Sequence, residues 1–190
     1  MNLPNVLSLV RIFLVPVLVV FLIVVPRPYN LTAAVVFLAA VLTDWLDGRI
    51  ARSTRQVTTL GKLLDPMADK LLISASLISL VQVGRVPAWM VVLIVAREVA
   101  VTGLRGIASI EGLVIAASSW GKAKTILQTL ALVGLLLHYE YFRIDFHLLG
   151  MILIWIALAI TLWSGFDYFY KFYQAHTGKV RDYADGKMRD

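Results

Sequence analysis

Between Asp44 and Asp69 the chain reads DWLDGRIARSTRQVTTLGKLLDPMAD, which sets four carboxylates, Asp44, Asp47, Asp65 and Asp69, into apolar surroundings. Asp44 and Asp47 are three apart and Asp65 and Asp69 four apart, spacings that put each pair on one face of a helix. An ionised Asp at the centre of a membrane-inserted helix costs about 2.5–3.5 kcal/mol. Four of them need compensating charge or a watery mouth. Oxygen-only clusters suit hard divalent cations, and Mg²⁺ commonly joins a few carboxylates to a substrate phosphate. The pattern therefore points to metal ions, and through them a phosphate, at the edge of a bilayer. The bland readings are a solvated acidic helix face or buried ion pairs bracing a bundle, with Arg49, Arg52 and Arg55 as partners.

The elements that must position these residues are expected to be long helices. Hydrophobic residues make up 59% of the 190 residues and the mean hydropathy is +0.80, far above a soluble domain. One domain over residues 1–190 is expected. The absence of cysteine excludes disulfides and thiolate metal sites. Apolar runs of about 20 residues predict an all-α fold, a six-transmembrane-helix bundle. The spans fall near Val6–Val25, Leu31–Arg52, Pro66–Val83, Pro87–Ile107, Ala123–His138 and Leu148–Tyr168. Pro26-Arg27-Pro28-Tyr29-Asn30 and Gly84-Arg85-Val86-Pro87 read as turns. Asp65 precedes a proline, so either Pro66 begins the third span or the helix starts earlier and bends there. No repeat or low-complexity tract is visible, and no cleavable signal peptide is expected.

Charge orients the bundle. One side carries Arg49, Arg52, Arg55, Lys62, Arg105, Lys122, Lys124, Lys171, Lys179, Arg181, Lys187 and Arg189; the other carries Arg27, Arg85 and Arg143. The positive-inside rule then puts both termini and the carboxylate mouth in the cytosol, in a multi-pass protein of the cytoplasmic membrane. Trp45, Trp89, Trp120 and Trp163 fall near span ends and read as interfacial anchors.

The aspartate stretch can be written D-x2-D-G-x2-A-R-x8-G-x3-D-x3-D, with Asp44, Asp47, Gly48, Ala51, Arg52, Gly61, Asp65 and Asp69 at its fixed positions. In this it resembles the CDP-alcohol phosphotransferase family, whose signature it matches at every fixed position. With residue frequencies of about 5%, a chance match somewhere in the chain is on the order of one in 10⁸. Within the family, the chain is most similar to members whose acceptor is glycerol 3-phosphate. That likeness runs from Asn2-Leu3-Pro4-Asn5 through Ala96-Arg97-Glu98, Thr102-Gly103-Leu104-Arg105 and Gly121-Lys122-x-Lys124-Thr125 to Ser164-Gly165-x-x-Tyr168.

The resemblance implies transfer of a phosphatidyl group from CDP-diacylglycerol to glycerol 3-phosphate, with two bound ions, Mg²⁺ or Mn²⁺. Asp44, Asp47 and Asp65 would be the principal ligands, Asp44 and Asp65 bridging, and Asp69 would touch the second ion and act as general base toward the acceptor hydroxyl. The gain from such a base comes from its position beside the nucleophile. Arg52 and Thr58 would contact the CDP moiety, with Asn5 and Ser8 as weaker candidates. Gly48, Ala51 and Gly61 would let the nucleotide approach the helix backbones, although small residues also serve ordinary helix packing. Arg97, Arg105, Lys122 and Lys124 form a cationic set suited to an acceptor with its own phosphate. Topology alone would also explain such charges, and Lys124, two residues from Lys122, points to a different helix face where headgroups are the alternative partner. The family also implies a homodimer. It does not imply a nucleic-acid partner.

Other readings share parts of the pattern. Cardiolipin synthases and phosphatidylinositol phosphate synthases are relatives with the same aspartates and phosphate-bearing acceptors. UbiA-type prenyltransferases hold Mg-diphosphate with aspartates, but on two separate helix pairs of a longer chain. A divalent-cation transporter would line a path with carboxylates. It leaves Gly48, Arg52 and the spacing to Gly61 without a purpose.

Overall fold

The computed structural model describes the backbone of residues 3–24, 30–54, 59–113, 119–141 and 143–184, and the side chains of 9–24, 31–43, 67–113, 121, 123–140 and 143–177. Six helices account for almost all of it: α1 (Leu3–Ile23), α2 (Asn30–Thr54), α3 (Thr59–Gln82), α4 (Ala88–Ile110), α5 (Ser119–Leu137) and α6 (Phe146–Ala184). Each expected span coincides with one helix. The differences lie at the ends. α3 starts well before Pro66, the earlier of the two starts its sequence allowed, and α6 runs far past Tyr168.

The all-helical expectation meets one small exception. Between α5 and α6 the chain forms an antiparallel hairpin, β1 (Glu140–Tyr141) and β2 (Ile144–Asp145), with Tyr141 opposite Ile144. His138 leaves α5 with φ 61° and so turns the chain out of the helix. Asp145 then caps α6, its Oδ1 accepting from the Leu148 backbone N–H at 2.9 Å. Two-residue strands carry too little alternation to be read from sequence.

Helix ends follow their residues. Gly84 (φ 72°) closes α3 in a Schellman motif, with Arg85 N–H reaching the Leu80 carbonyl at 2.9 Å and Gly84 N–H the Val81 carbonyl at 3.0 Å. Gly112 (φ 68°) closes α4 in the same way onto Ala108 and Ser109. Arg85 then reaches across and donates to the Leu135 and Leu136 carbonyls, both at 3.1 Å, which caps the end of α5. Its charge thus has a structural partner besides any topological role.

One apolar core runs through the bundle, with Leu18 from α1, Phe37 from α2, Leu77 from α3, Ile94 from α4, Leu132 and Leu135 from α5 and Ile154 from α6 all fully buried. The outside is apolar as well: Phe13, Val24, Val92, Val99, Ile126, Trp163 and Phe166 are exposed. Trp89 and Trp155 are also exposed and meet edge to face at 5.4 Å. Among the described residues α6 is long and apolar enough to cross a membrane, over Phe146–Thr177 with mean hydropathy 2.2. Leu9–Ile23, Leu31–Thr43 and Ala123–Leu137 are shorter apolar stretches. α3 and α4 break their apolar runs with Asp69, Lys70, Arg97 and Glu98, the residues that build the site described below.

α5 and α6 pack closest where Gly134 faces Gly150. A Cβ on Gly150 would lie 2.7 Å from the Leu135 backbone nitrogen and 3.0 Å from the Gly134 carbonyl carbon. Small residues at such crossings let helix backbones meet. Gly150→Ala is therefore expected to destabilise the protein by about 1–3 kcal/mol through overpacking. Gly106→Ala, where an added Cβ meets nothing within 4 Å, should be neutral or slightly stabilising. Thermal unfolding in detergent compares the two. Equal midpoints would show that the α5–α6 contact can yield.

Candidate active site

The four aspartates belong to two consecutive helices: Asp44 and Asp47 to the C-terminal half of α2, Asp65 and Asp69 to the N-terminal half of α3. The link between them, residues 55–58, spans at most about 18 Å even when extended, so the two halves lie at one end of the bundle. At 1.5 Å per residue, Asp44 and Asp69 each stand about 15 Å from the link, and Asp47 and Asp65 each about 10 Å. The four positions thus fall at two matched distances along their helices.

Asp69 is the one aspartate of the four whose side chain is described. It is half-buried and lines a cavity of about 20 Å³, the size of a single water, with Lys70, Ile73 and Ser74 of α3, Glu98 of α4, and Lys124, Thr125 and Gln128 of α5. The side chains of Asp44, Asp47, Gly48, Arg52, Gly61 and Asp65, of Asn5 and Ser8 in the first turns of α1, and of Lys122 lie outside the described residues. Thr58 lies outside them altogether. Among the described residues there is no group of three or more His, Cys, Asp or Glu placed to hold a metal.

Glu98 organises the cations around the cavity. Its Oε1 accepts from Arg97 Nη1 at 3.2 Å and also from Lys124 Nζ. Arg97 Nη2 donates to Ser164 Oγ of α6 at 2.8 Å, and Ser164 in turn donates to the Thr161 carbonyl at 3.2 Å. Lys70 Nζ donates to Thr102 Oγ1, which donates to the Glu98 carbonyl at 2.7 Å. Gln128 Nε2 donates to Thr161 Oγ1 at 3.2 Å. Arg105 lies over the Tyr168 ring, 5.5 Å from its centroid, a cation–π geometry. The Arg97 Nε donor is buried without an acceptor among the described residues.

The structure therefore brings Asp69 and Lys124 to one cavity, links Lys124 to Arg97 through Glu98, and sets Arg105 along the same helix as Arg97. Lys124 is 6% exposed and turned into the cavity, so headgroups are not its partner. A lysine this buried sits where Glu98 can neutralise it. Sequence reasoning quoted Glu98 within Ala96-Arg97-Glu98 but gave it no role, and passed over Lys70 and Gln128. The signal for Glu98 was available, because an acidic residue inside an apolar span needs a cationic partner. A further surprise is Arg11 of α1, which is 1% exposed and donates from Nε to the Ala40 carbonyl of α2 at 3.3 Å, one turn before Asp44.

Comparisons with known proteins give the chain a family. The sequence model of the CDP-alcohol phosphatidyltransferase family matches residues 1–163, and the chain belongs to that family. Among curated proteins it is 42% identical over 189 residues to the CDP-diacylglycerol–glycerol-3-phosphate 3-phosphatidyltransferase of Bacillus subtilis (strain 168), covering 92% of this chain and 96% of the relative. Proteins of the same name from Rickettsia bellii (38% identical, 88% of this chain and 93% of the relative) and Haemophilus influenzae (37% identical, 88% and 91%) are also similar.

Proposed function

We propose that this protein transfers the phosphatidyl group of CDP-diacylglycerol to glycerol 3-phosphate, releasing CMP and leaving phosphatidylglycerol phosphate in the membrane. The observation that carries the reading is the charge balance beside Asp69. Among the described side chains there, Lys70, Arg97, Arg105 and Lys124 stand against Asp69 and Glu98, an excess of two positive charges. A phosphate monoester of charge about −1.5 to −2 matches it. Serine or an aminoalcohol does not. The names carried by the relatives support the same acceptor. In this reading the chain is a single six-span domain in the cytoplasmic membrane, working as a homodimer with its site and termini in the cytosol.

The oxygen-only donor set of Asp44, Asp47, Asp65 and Asp69, in a chain without cysteine, fits two hard divalent ions. Bound there, Mg²⁺ or Mn²⁺ supplies charge neutralisation for the diphosphate and for the CMP leaving group. Arg52 and Thr58 hold the nucleotide, with Asn5 and Ser8 nearby, and Gly48 and Gly61 leave it room. Asp69 takes the proton of the acceptor's 1-hydroxyl, whose oxygen attacks the β-phosphorus as the bond to CMP breaks. The acceptor's phosphate is held by Arg97, Arg105, Lys122 and Lys124. Lys124 exchanges its contact with Glu98 for one with the incoming phosphate. Until then Glu98 keeps the cations in place.

A labelled-acceptor panel with CDP-diacylglycerol in detergent tests this. Glycerol 3-phosphate should be the good acceptor, and glycerol, serine and inositol phosphate poor ones. Arg97→Gln, Arg105→Gln and Lys122→Gln should each raise its KM roughly tenfold or more, because a charge-assisted contact is worth about 1.5–3 kcal/mol. The KM for CDP-diacylglycerol should change little. If glycerol served as well as its phosphate, the cluster would be a topology signal and no more.

A further inference from the structure

The two arginines of α4 are received by one short face of α6. Arg97, Val101 and Arg105 recur at helical spacing and so form one stripe of α4, with Val101 buried between the charges. On α6, Ser164, Gly165 and Tyr168 share a face in the same way. Contacts climb both helices in step: Arg97 meets Ser164, Arg105 meets Tyr168, and Glu111 meets His176. The helices therefore run parallel, and α6 acts as a rail beside the arginine stripe.

Each of the three residues does something different to a guanidinium. Ser164 accepts from Arg97 Nη2 at 2.8 Å while its own proton is committed to the Thr161 carbonyl. The hydroxyl rotor is thereby fixed as an acceptor for the arginine. Gly165 is a gap for the arginine stem. A Cβ there would lie 2.9 Å from Arg97 Cγ and 3.1 Å from Nε, too close for the side chain to keep its course. Tyr168 is buried and offers the face of its ring to Arg105, which is otherwise exposed. A long, exposed arginine loses freedom when it binds an anion, and a preset ring face reduces that cost.

We propose that Ser164, Gly165 and Tyr168 are positioning residues that aim Arg97 and Arg105 at the phosphate of the acceptor, so that α6 sets acceptor affinity without touching the acceptor. The inference rests on the reading that these arginines hold an acceptor phosphate. The sequence segment Ser164-Gly165-x-x-Tyr168 thereby acquires a physical purpose on a helix that carries none of the aspartates.

Steady-state kinetics with both substrates tests it. Ser164→Ala, Gly165→Ala and Tyr168→Leu should each raise the KM for glycerol 3-phosphate about three- to tenfold, leaving the KM for CDP-diacylglycerol near the parent value. Tyr168→Phe, which keeps the ring face, should recover the parent KM. A packing defect alone would raise both constants or lower turnover without this split. The gentlest change, Ser164→Ala, is also made in an Arg97→Gln background, where it should add nothing because its partner is gone. If Arg97→Gln raises the acceptor KM and the α6 variants do not, or if Ser164→Ala has its full effect in both backgrounds, the positioning role is overturned and the acceptor reading stands. If Arg97→Gln itself leaves the acceptor KM unchanged, both fall.

Discussion

Asp69→Asn should lower turnover by about 10²–10⁴-fold while leaving CDP-diacylglycerol binding largely intact. The amide keeps the size of the side chain and one oxygen donor, but it cannot take a proton. Asp69 is also the aspartate that reaches into the cavity shared with Glu98, Lys124 and Gln128, where an acceptor held by its phosphate would bring its hydroxyl. Asp44→Asn is a different lesion. As a proposed bridging ligand it weakens both metal positions, so binding and turnover should fail together. Single-turnover rates and equilibrium binding of CDP-diacylglycerol to the two variants separate the roles. Near-parental turnover in Asp69→Asn would exclude that residue as the base.

Much of this was legible in the chain. Long apolar runs fix where helices must lie, since a backbone without water has to satisfy its own hydrogen bonds, and the six expected spans each became a helix. Gly84 and Pro87 announced the turn between α3 and α4 through their fixed backbone preferences. Helix ends in the polar segments were less legible. α6 continues past Tyr168 through Lys171, which pairs with Asp167 at 2.7 Å one turn away. Such pairs sustain a helix after the apolar signal stops. The hairpin at Glu140–Asp145 was invisible because it is shorter than any periodic pattern.

The site was legible in its residues more than in its wiring. The aspartates declare themselves by spacing, and Arg97, Arg105 and Lys124 by their place near one mouth. What sequence does not give is which cation turns inward. Lys124 looked free to reach headgroups, and its direction is decided by Glu98, a residue on another helix. Arg97 is likewise steered by Ser164 and Gly165, far away in sequence. Non-local partners of this kind leave no period to read. Arg11 makes the same point: a charge within the first apolar run has no partner that the sequence names, yet it is buried against α2 one turn before Asp44.

Chelation with EDTA should abolish turnover completely, and Mg²⁺ or Mn²⁺ should restore it. Four carboxylates gathered around one substrate, as the proposed donor site requires, would repel one another. At separations of about 5 Å, with an effective dielectric constant near 20, each unit pair would oppose its neighbour by roughly 3 kcal/mol. A diphosphate brought to the same place adds further negative charge, and in the proposed site the cations around Asp69 face the acceptor phosphate. Neutralising the donor diphosphate is then left to the divalent ions. Loss of donor binding should accompany loss of turnover, because the same charges govern both. The measurement is CMP release and CDP-diacylglycerol binding in chelator, followed by titration with each metal. Restoration should be sigmoidal if two ions act together and hyperbolic if one suffices. Full turnover in chelator would remove metal ions from the site and leave the four aspartates needing another explanation, with Arg49, Arg52, Lys62 and Lys70, the cations nearest to them in sequence, as the counter-charges to test.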